Sequence, residues 1–291
     1  MKSYRKTPGE TLFAALNTLF MAFILLVTLY PFWYIAVGSV SSVAHIFSQG
    51  MLLWPDQLSL AAYEFVIGTK GVSSALGNSA FITVAGTLLS MALTTMGAYV
   101  LSKPYLPGRK TMTLFIVVTM LFNGGLIPFY LVVKSLGMID TIWAMMIPYA
   151  ISTYNMIIMR NFLQAVPRSL EESAMVDGAR HFTIFAKIYL PLSMPVIATV
   201  TLFYAVGYWN SIIPAIYFLN RRDFIPIQVI LREVLIQSRP EALQFIDSAT
   251  SQISENIKMA LVVITVAPIA VIYPFLQKYF VKGVMVGSIK G

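Results

Sequence analysis

The chain has 291 residues, 58% of them hydrophobic and 11% charged, with a formal net charge of +8. A soluble domain carries roughly 25% charged residues, so a chain this apolar has too little polar surface to cover itself in water. It has no cysteine, which excludes disulfides and thiolate metal sites, and its two histidines, His45 and His181, lie too far apart in sequence to suggest a metal cluster.

A membrane-spanning helix needs about 20 mostly apolar residues. The first such run, 11–37, is longer than the roughly 7–15-residue core of a signal peptide and ends in aromatics, so it is expected as a retained helix. Further runs cover 78–101, 111–133, 142–159, 192–218 and 257–280. The pattern predicts an all-α polytopic membrane protein of about six spans, organised as one transmembrane domain over 1–291. The connections 39–77, 160–191 and 219–256 are long; 102–110 is short and basic, and 134–141 is short. No soluble domain, low-complexity segment or internal repeat stands out.

An even number of spans puts both termini on one side. Thirteen of the 20 Lys and Arg residues then fall on that side, among them Lys103, Arg109, Lys110, Arg160, Arg168, Arg180 and Lys187. The positive-inside rule makes it the cytoplasmic side. The basic loop 160–191 is therefore expected inside, and the positive charge calls for no nucleic acid.

No Asp, Glu, Lys or Arg lies in the interior of these spans; Lys258 and Lys278 fall at the two ends of the last. Intramembrane ionisable groups mark proton relays, so a proton-driven carrier is disfavoured. Sodium coupling is disfavoured less, because backbone carbonyls can hold the ion. The phosphate-binding G-x-x-x-x-G-K-[ST] loop is missing, so any ATP used must be bound by another chain. No Ser/His or paired-Asp set that could make the spans catalytic is present.

Several spans are interrupted, by Asn123-Gly124-Gly125 and Pro128, by Pro148, and by Gly207 and Pro214. Irregular backbone at membrane depth is tolerated only against protein or a water-filled cavity, which makes Asn123 a candidate path residue. Tyr154, Asn155, Tyr204, Tyr208, Trp209 and Asn210 add rings and amides. Aromatic faces and amides suit a sugar's C–H and hydroxyl groups. The same residues also suit interfacial anchoring and helix–helix links, and the sequence leaves both readings open. Tyr204 and Tyr208, four apart, share a helix face.

The loop 160–191 reads as helix, glycine turn, helix. Ser169, followed three residues on by Glu172, has the form of a capping box. Glu171 and Glu172 suit a first helical turn, Gly178 suits its end, and Pro191 ends a second short helix over 180–189. An amphipathic pair lying on the membrane surface has the same pattern.

Glu172-Ser173-Ala174, Gly178 and then Ile188-x-Leu190-Pro191 resemble the "EAA" loop of binding-protein-dependent ABC importer permeases. The run from Glu171 through Asp177-Gly178-Ala179 is similar to the carbohydrate branch, with Ser173 in place of the usual alanine. Phe122–Pro128, Leu136–Trp143, Met159–Phe162, Phe203–Asn210 and Lys282–Gly291 extend the resemblance to the second permeases of importers for alginate or pectin fragments. The resemblance implies a type I ABC importer permease fold and no enzymatic activity in this chain. It implies as partners a second homologous permease, two ATPase subunits that bind ATP and Mg, and an extracytoplasmic solute-binding protein. It implies that Glu171, Glu172, Ser173, Ala174, Asp177, Gly178, Ala179, Leu190 and Pro191 couple to the ATPase, with Gly178 needed because a side chain would clash with a tight turn. Asn123, Tyr154, Asn155, Tyr204, Tyr208, Trp209 and Asn210 are then expected along the path of an oligosaccharide. The competing reading is a stand-alone secondary sugar transporter.

Overall fold

The computed structural model describes residues 7–42, 46, 52–237 and 255–288, with backbone alone at 237 and 275–288. His45, Arg239, Lys290 and the end of the 282–291 tail lie outside the described residues. The regular structure described is all helical. The long apolar helices are α1 (Pro8–Ser39), α3 (Lys70–Ser102) and the last helix, α12 (Glu255–Ser288). The short α2 (Ala61–Gly68) precedes α3. At 1.5 Å per residue the 33 residues of α3 reach about 50 Å, well beyond a hydrocarbon core of roughly 30 Å.

Three bent helix pairs are together long and apolar enough to cross a membrane. Helices α4 (Arg109–Leu121) and α5 (Leu126–Ser135) meet at 114°. Two 3-10 turns, Ile142–Met145 and Ile147–Tyr149, meet α6 (Thr153–Gln164) at 47°. Helix α8 (His181–Leu192) meets α9 (Met194–Trp209) at 83°. The interruptions expected at 123–128 and at Pro148 are therefore real breaks, whereas Gly207 and Pro214 lie inside helices and the run 192–218 breaks between them, after Trp209. At the first break Gly125 takes a φ of 86°, open to glycine, and Asn123 Oδ1 accepts from Gly125 N at 2.9 Å. At the second, Pro148 has no N–H to continue an α-helix. The third run stops at Trp209 and restarts as α10 (Ile212–Phe218). The amphipathic α7 (Arg168–Val176) lies in the loop between α6 and α8, and α11 (Ile227–Arg232) follows α10.

The chain divides into two compact units, Met1–Thr69 with Arg239–Val266, and Lys70–Ser238 with Ala267–Gly291. In the first, Trp33 stacks edge-on against Trp54 and donates from Nε1 to the Leu53 carbonyl at 2.9 Å. A Cβ on Gly38 would run into Met259, so that glycine lets two helices approach.

The second unit is built on α3. Its buried positions Ala75, Ser79, Ile82, Gly86, Ser90, Thr94 and Ala98 recur every three or four residues, one face of a helix. Small side chains let membrane helices approach closely, and hydroxyls bond across the gap. The Tyr208 ring of α9 lies where a Cβ on Gly86 would stand, 2.9 Å away. Ser90 Oγ bonds the Tyr208 hydroxyl at 2.8 Å, and Thr94 Oγ1 bonds the Tyr204 hydroxyl at 2.7 Å. Further along, Ser79 Oγ accepts from Ile227 N at 2.9 Å, which seats α11 on the same stripe. On the far side of the bent spans, Asp140, at a φ of 60°, accepts from the backbone N–H groups of Asn220 and Arg221 and from Asn220 Nδ2, tying the turn after α5 to the end of α10.

Filling the contact between α3 and α9 should therefore be costly. Gly86→Ala is expected to destabilise the chain by about 1–3 kcal/mol, the range for overpacking a close contact. Thermal unfolding in detergent measures it; Gly77→Ala, with open space around it, is the control.

Candidate functional site

The first helix of the loop between α6 and α9 is capped at Pro167, not at Ser169. Helix α7 starts at Arg168 with Pro167 in the N-cap position and no side-chain cap, so Ser169 is inside the helix and the expected capping box does not form. Proline's fixed φ already suits a helix start. Gly178 ends the helix as expected: its φ is 78°, and Ala179 N reaches back to the Ala174 carbonyl at 2.9 Å. A Cβ on Gly178 would meet nothing within 4 Å, so glycine is required here by backbone conformation and not by crowding within the chain. Helix α8 does not stop at Pro191. Its middle turn, Phe185–Tyr189, is π-helical, and Pro191 lies inside the last turn before Ser193 ends it. A proline cannot donate to the carbonyl four residues back, which frees that turn to widen.

Glu171 and Glu172 part company. Glu172 is exposed, whereas the Glu171 side chain is 5% exposed. Glu171 Oε2 pairs with Lys103 Nζ at 2.7 Å and accepts from the Tyr189 hydroxyl at 2.7 Å; Oε1 accepts from the Tyr105 hydroxyl at 3.0 Å. The Lys103 ammonium lies 4.1 Å from the centre of the Tyr99 ring and 3.8 Å from that of Tyr189. A cation over aromatic faces is stabilised where water is excluded. The turn after α3 is thus clamped to α7 and to the π-turn of α8 through one buried charge pair with hydroxyl and ring partners. Lys103, Tyr105 and Tyr189 were not legible as partners, because Lys103 looks like one more cytoplasmic charge at a span end.

Burial works against the Glu171 carboxylate, but the bonds from Lys103, Tyr189 and Tyr105 and the charge on Lys103 hold it below the usual carboxylate range. Burial and the same carboxylate push the Tyr105 phenol up to about 12. The outward side of the loop carries Glu172, Ser173, Asp177 and Gly178, all exposed, with Ala174 and Ala179 half-buried. Val176 is 88% exposed and Phe182 73%, flanking the glycine turn with apolar surface. Leu190 is half-buried and Pro191 exposed.

The path residues separate into groups. Asn155, Tyr204, Tyr208 and Asn210 line one cavity of about 410 Å³ together with Tyr149 and Ser152. The two tyrosine hydroxyls are committed to structure: Tyr204 accepts from Ser152 N at 2.9 Å, and Tyr208 donates to the Met146 carbonyl at 3.2 Å. They satisfy the irregular backbone of the 3-10 turns, which membrane depth demands, and leave their rings to the cavity. Asn210 accepts from Gln228 Nε2 at 3.2 Å. Trp209, one position round the helix, lines a second, wholly apolar cavity of about 230 Å³ with Ala205, Pro268 and Ile272. Asn123 and Tyr154 are exposed and line neither.

The clamp gives a sharp test. Removing one partner of a buried ion pair costs about 3–5 kcal/mol, whereas replacing both with apolar groups is often neutral. Glu171→Ala should lower stability by about that much, and Lys103→Met with Glu171→Leu should recover most of it. Because the folded carboxylate titrates lower than the unfolded one, the clamp's contribution is present at neutral pH. It is lost as pH falls below the unfolded value of about 4.3 and through the folded one. Acid unfolding of wild type against Glu171→Gln measures this, and the variant should lose the dependence.

The model of the family "Binding-protein-dependent transport system inner membrane component" matches residues 71–286. The chain is 43% identical over 274 residues to the polygalacturonan/rhamnogalacturonan transport system permease protein YtcP of Bacillus subtilis, covering 94% of this chain and 96% of that one. It is 42% identical over 287 residues to protein LplC of the same organism, covering 98% and 97%. Among solved structures, a bacterial ABC transporter involved in import of the acidic polysaccharide alginate contains a chain that superposes with a TM-score of 0.88 at 33% identity. That superposition covers 96% of this chain and 100% of the other.

Proposed function

Because this chain belongs to the family of binding-protein-dependent transport system inner membrane components, we propose that it moves oligosaccharides through the cytoplasmic membrane and is driven by ATP bound, with Mg, on separate ATPase chains. It is a sugar ABC importer permease with the type I fold. The observation that carries the drive mechanism is the loop 160–191. It presents Val176, Phe182 and the Gly178 turn outward on a base that the buried Lys103–Glu171 pair locks to α3.

Exposed apolar side chains on a polar loop suit a partner's cleft. An ATPase seated on Glu172, Ser173, Ala174, Asp177 and Gly178 would pull α7 as it closes. Glu171 would not touch the ATPase; it would pass the pull to α3 through Lys103. Leu190 and Pro191 shape the end of α8 that follows its π-turn and would act on the same lever. The helices then rock as rigid bodies between inward- and outward-facing states, with both termini in the cytoplasm. A second, homologous permease completes the path, and an extracytoplasmic binding protein delivers the sugar.

The 410 Å³ cavity is this chain's wall of that path, with Asn155 and Asn210 as hydrogen-bonding groups and the Tyr204 and Tyr208 rings as apolar faces. Its lining has no charged side chain. YtcP is named for polygalacturonan/rhamnogalacturonan transport, and the matching solved transporter is involved in import of the acidic polysaccharide alginate. For such fragments the carboxylate partners would come from the second permease or the binding protein, while this chain grips hydroxyls and ring faces.

In vesicles containing the assembled transporter, Gly178→Asp is expected to leave the protein folded and to cut ATP-driven import at least tenfold. Import at the normal rate would remove the docking role. Asn155→Ala should raise the sugar concentration for half-maximal import several-fold with ATP hydrolysis still coupled. Import that persists after the ATPase gene is deleted would favour the secondary-transporter reading instead.

A further inference from the structure

A cleft of about 290 Å³ opens between the turn after α3 and the start of α7. Lys103, Arg109, Arg168, Gln164, Glu171 and Tyr189 line it. Glu171 is its one carboxylate, and that group is already taken up by Lys103 and two tyrosine hydroxyls. Arg109 and Arg168 form no ion pair among the described residues. Arg160, which donates from Nε to the Leu101 carbonyl at 3.2 Å, is close enough to Arg109 for the two charges to repel. Guanidinium forks favour an anion of phosphate geometry.

We propose that this cleft binds a phosphate group, and that its source is the headgroup of an anionic phospholipid. The neighbourhood argues for the lipid. Helix α4 is half of a bent span, and within two turns of Arg109 it exposes Met112 (49%) and Phe115 (71%). A headgroup held by Arg109 and Arg168 leaves its acyl chains alongside those residues. Basic pockets at the cytoplasmic ends of membrane helices bind anionic headgroups by this arrangement. The site adjoins the Lys103–Glu171 clamp, so a bound lipid would brace the base of the docking loop. The inference rests on the membrane-spanning reading of α4 and on the loop's cytoplasmic placement.

The test uses the assembled transporter in neutral detergent, with native mass spectrometry counting bound dioctanoyl phosphatidylglycerol, dioctanoyl phosphatidylcholine as the zwitterionic control, and inorganic phosphate as competitor. Phosphatidylglycerol should bind more tightly than phosphatidylcholine. Arg109→Gln and Arg168→Gln should each weaken it about fivefold. Arg168→Lys should restore part of the loss, and Lys187→Gln, on the same loop but outside the cleft, should change nothing. Displacement by an equal concentration of inorganic phosphate overturns the lipid as the source and leaves a free anion as the ligand. Equal binding of the two lipids, or no loss in either Arg→Gln variant, overturns the proposal. The functional reading is tested separately. The chain has no native cysteine, so Lys187→Cys labelled by an impermeant maleimide in oriented vesicles reports the side of the loop. Loss of sugar import with lipid binding intact counts against the transport reading alone.

Discussion

The close approach of α9 to α3 sets most of the second unit. Where a Tyr208 ring lies against Gly86, no larger residue fits, and the two tyrosine hydroxyls must find partners because a membrane offers no water to take them. Ser90 and Thr94 supply those partners from α3. The same hydroxyls then reach the backbone of the turn and N-cap around Met146 and Ser152. One packed face therefore supports three things at once: the helix pair, the irregular 3-10 segment, and the wall of the polar cavity. Loss of the small-residue stripe would open all three.

The clamp at the end of α3 extends this rigidity to the surface. A loop that only floated on α8 could be pulled without moving anything. With Glu171 buried against Lys103, Tyr105 and Tyr189, displacement of α7 has to carry the end of α3 with it or break a buried charge pair. The helix to which the clamp ties α7 is also the one that packs on Tyr204 and Tyr208. Loop, clamp, stripe and cavity form one contiguous train of contacts, about the length of α3. Stiff elements joined by buried contacts transmit displacement because a packed interior does not deform smoothly. Val176 and Phe182 are exposed on the loop, and the cavity lies where Tyr204 and Tyr208 meet α3.

Much of this was readable from residue order. Composition, apolar run length and the distribution of Lys and Arg speak to class and span number, because lipid imposes those on any chain. The resemblance of 171–179 and 188–191 to the importer loop named a family that the comparisons then matched over 71–286. The helix stop at Gly178 was legible too, since a positive φ is a local demand. Breaks in the spans were visible as Asn123-Gly124-Gly125 and Pro148. Their angles were not, because a bend depends on what the two halves pack against.

Sequence by itself determined what lipid and local backbone chemistry enforce: six apolar segments, a basic loop, a glycine that ends its first helix, and rings and amides within the spans. Tertiary structure alone decided which of those groups meet. It turned Glu171 inward and left Glu172 out, a choice of helix phase that two adjacent glutamates cannot reveal. It made Lys103 a buried partner, because its ammonium meets two tyrosine rings that come from separate segments. It sent Trp209 to an apolar cavity while Tyr208 and Asn210 line the polar one, since successive residues on a helix point about 100° apart. Direction and partnership arise only when distant segments pack together, and no spacing along the chain encodes them.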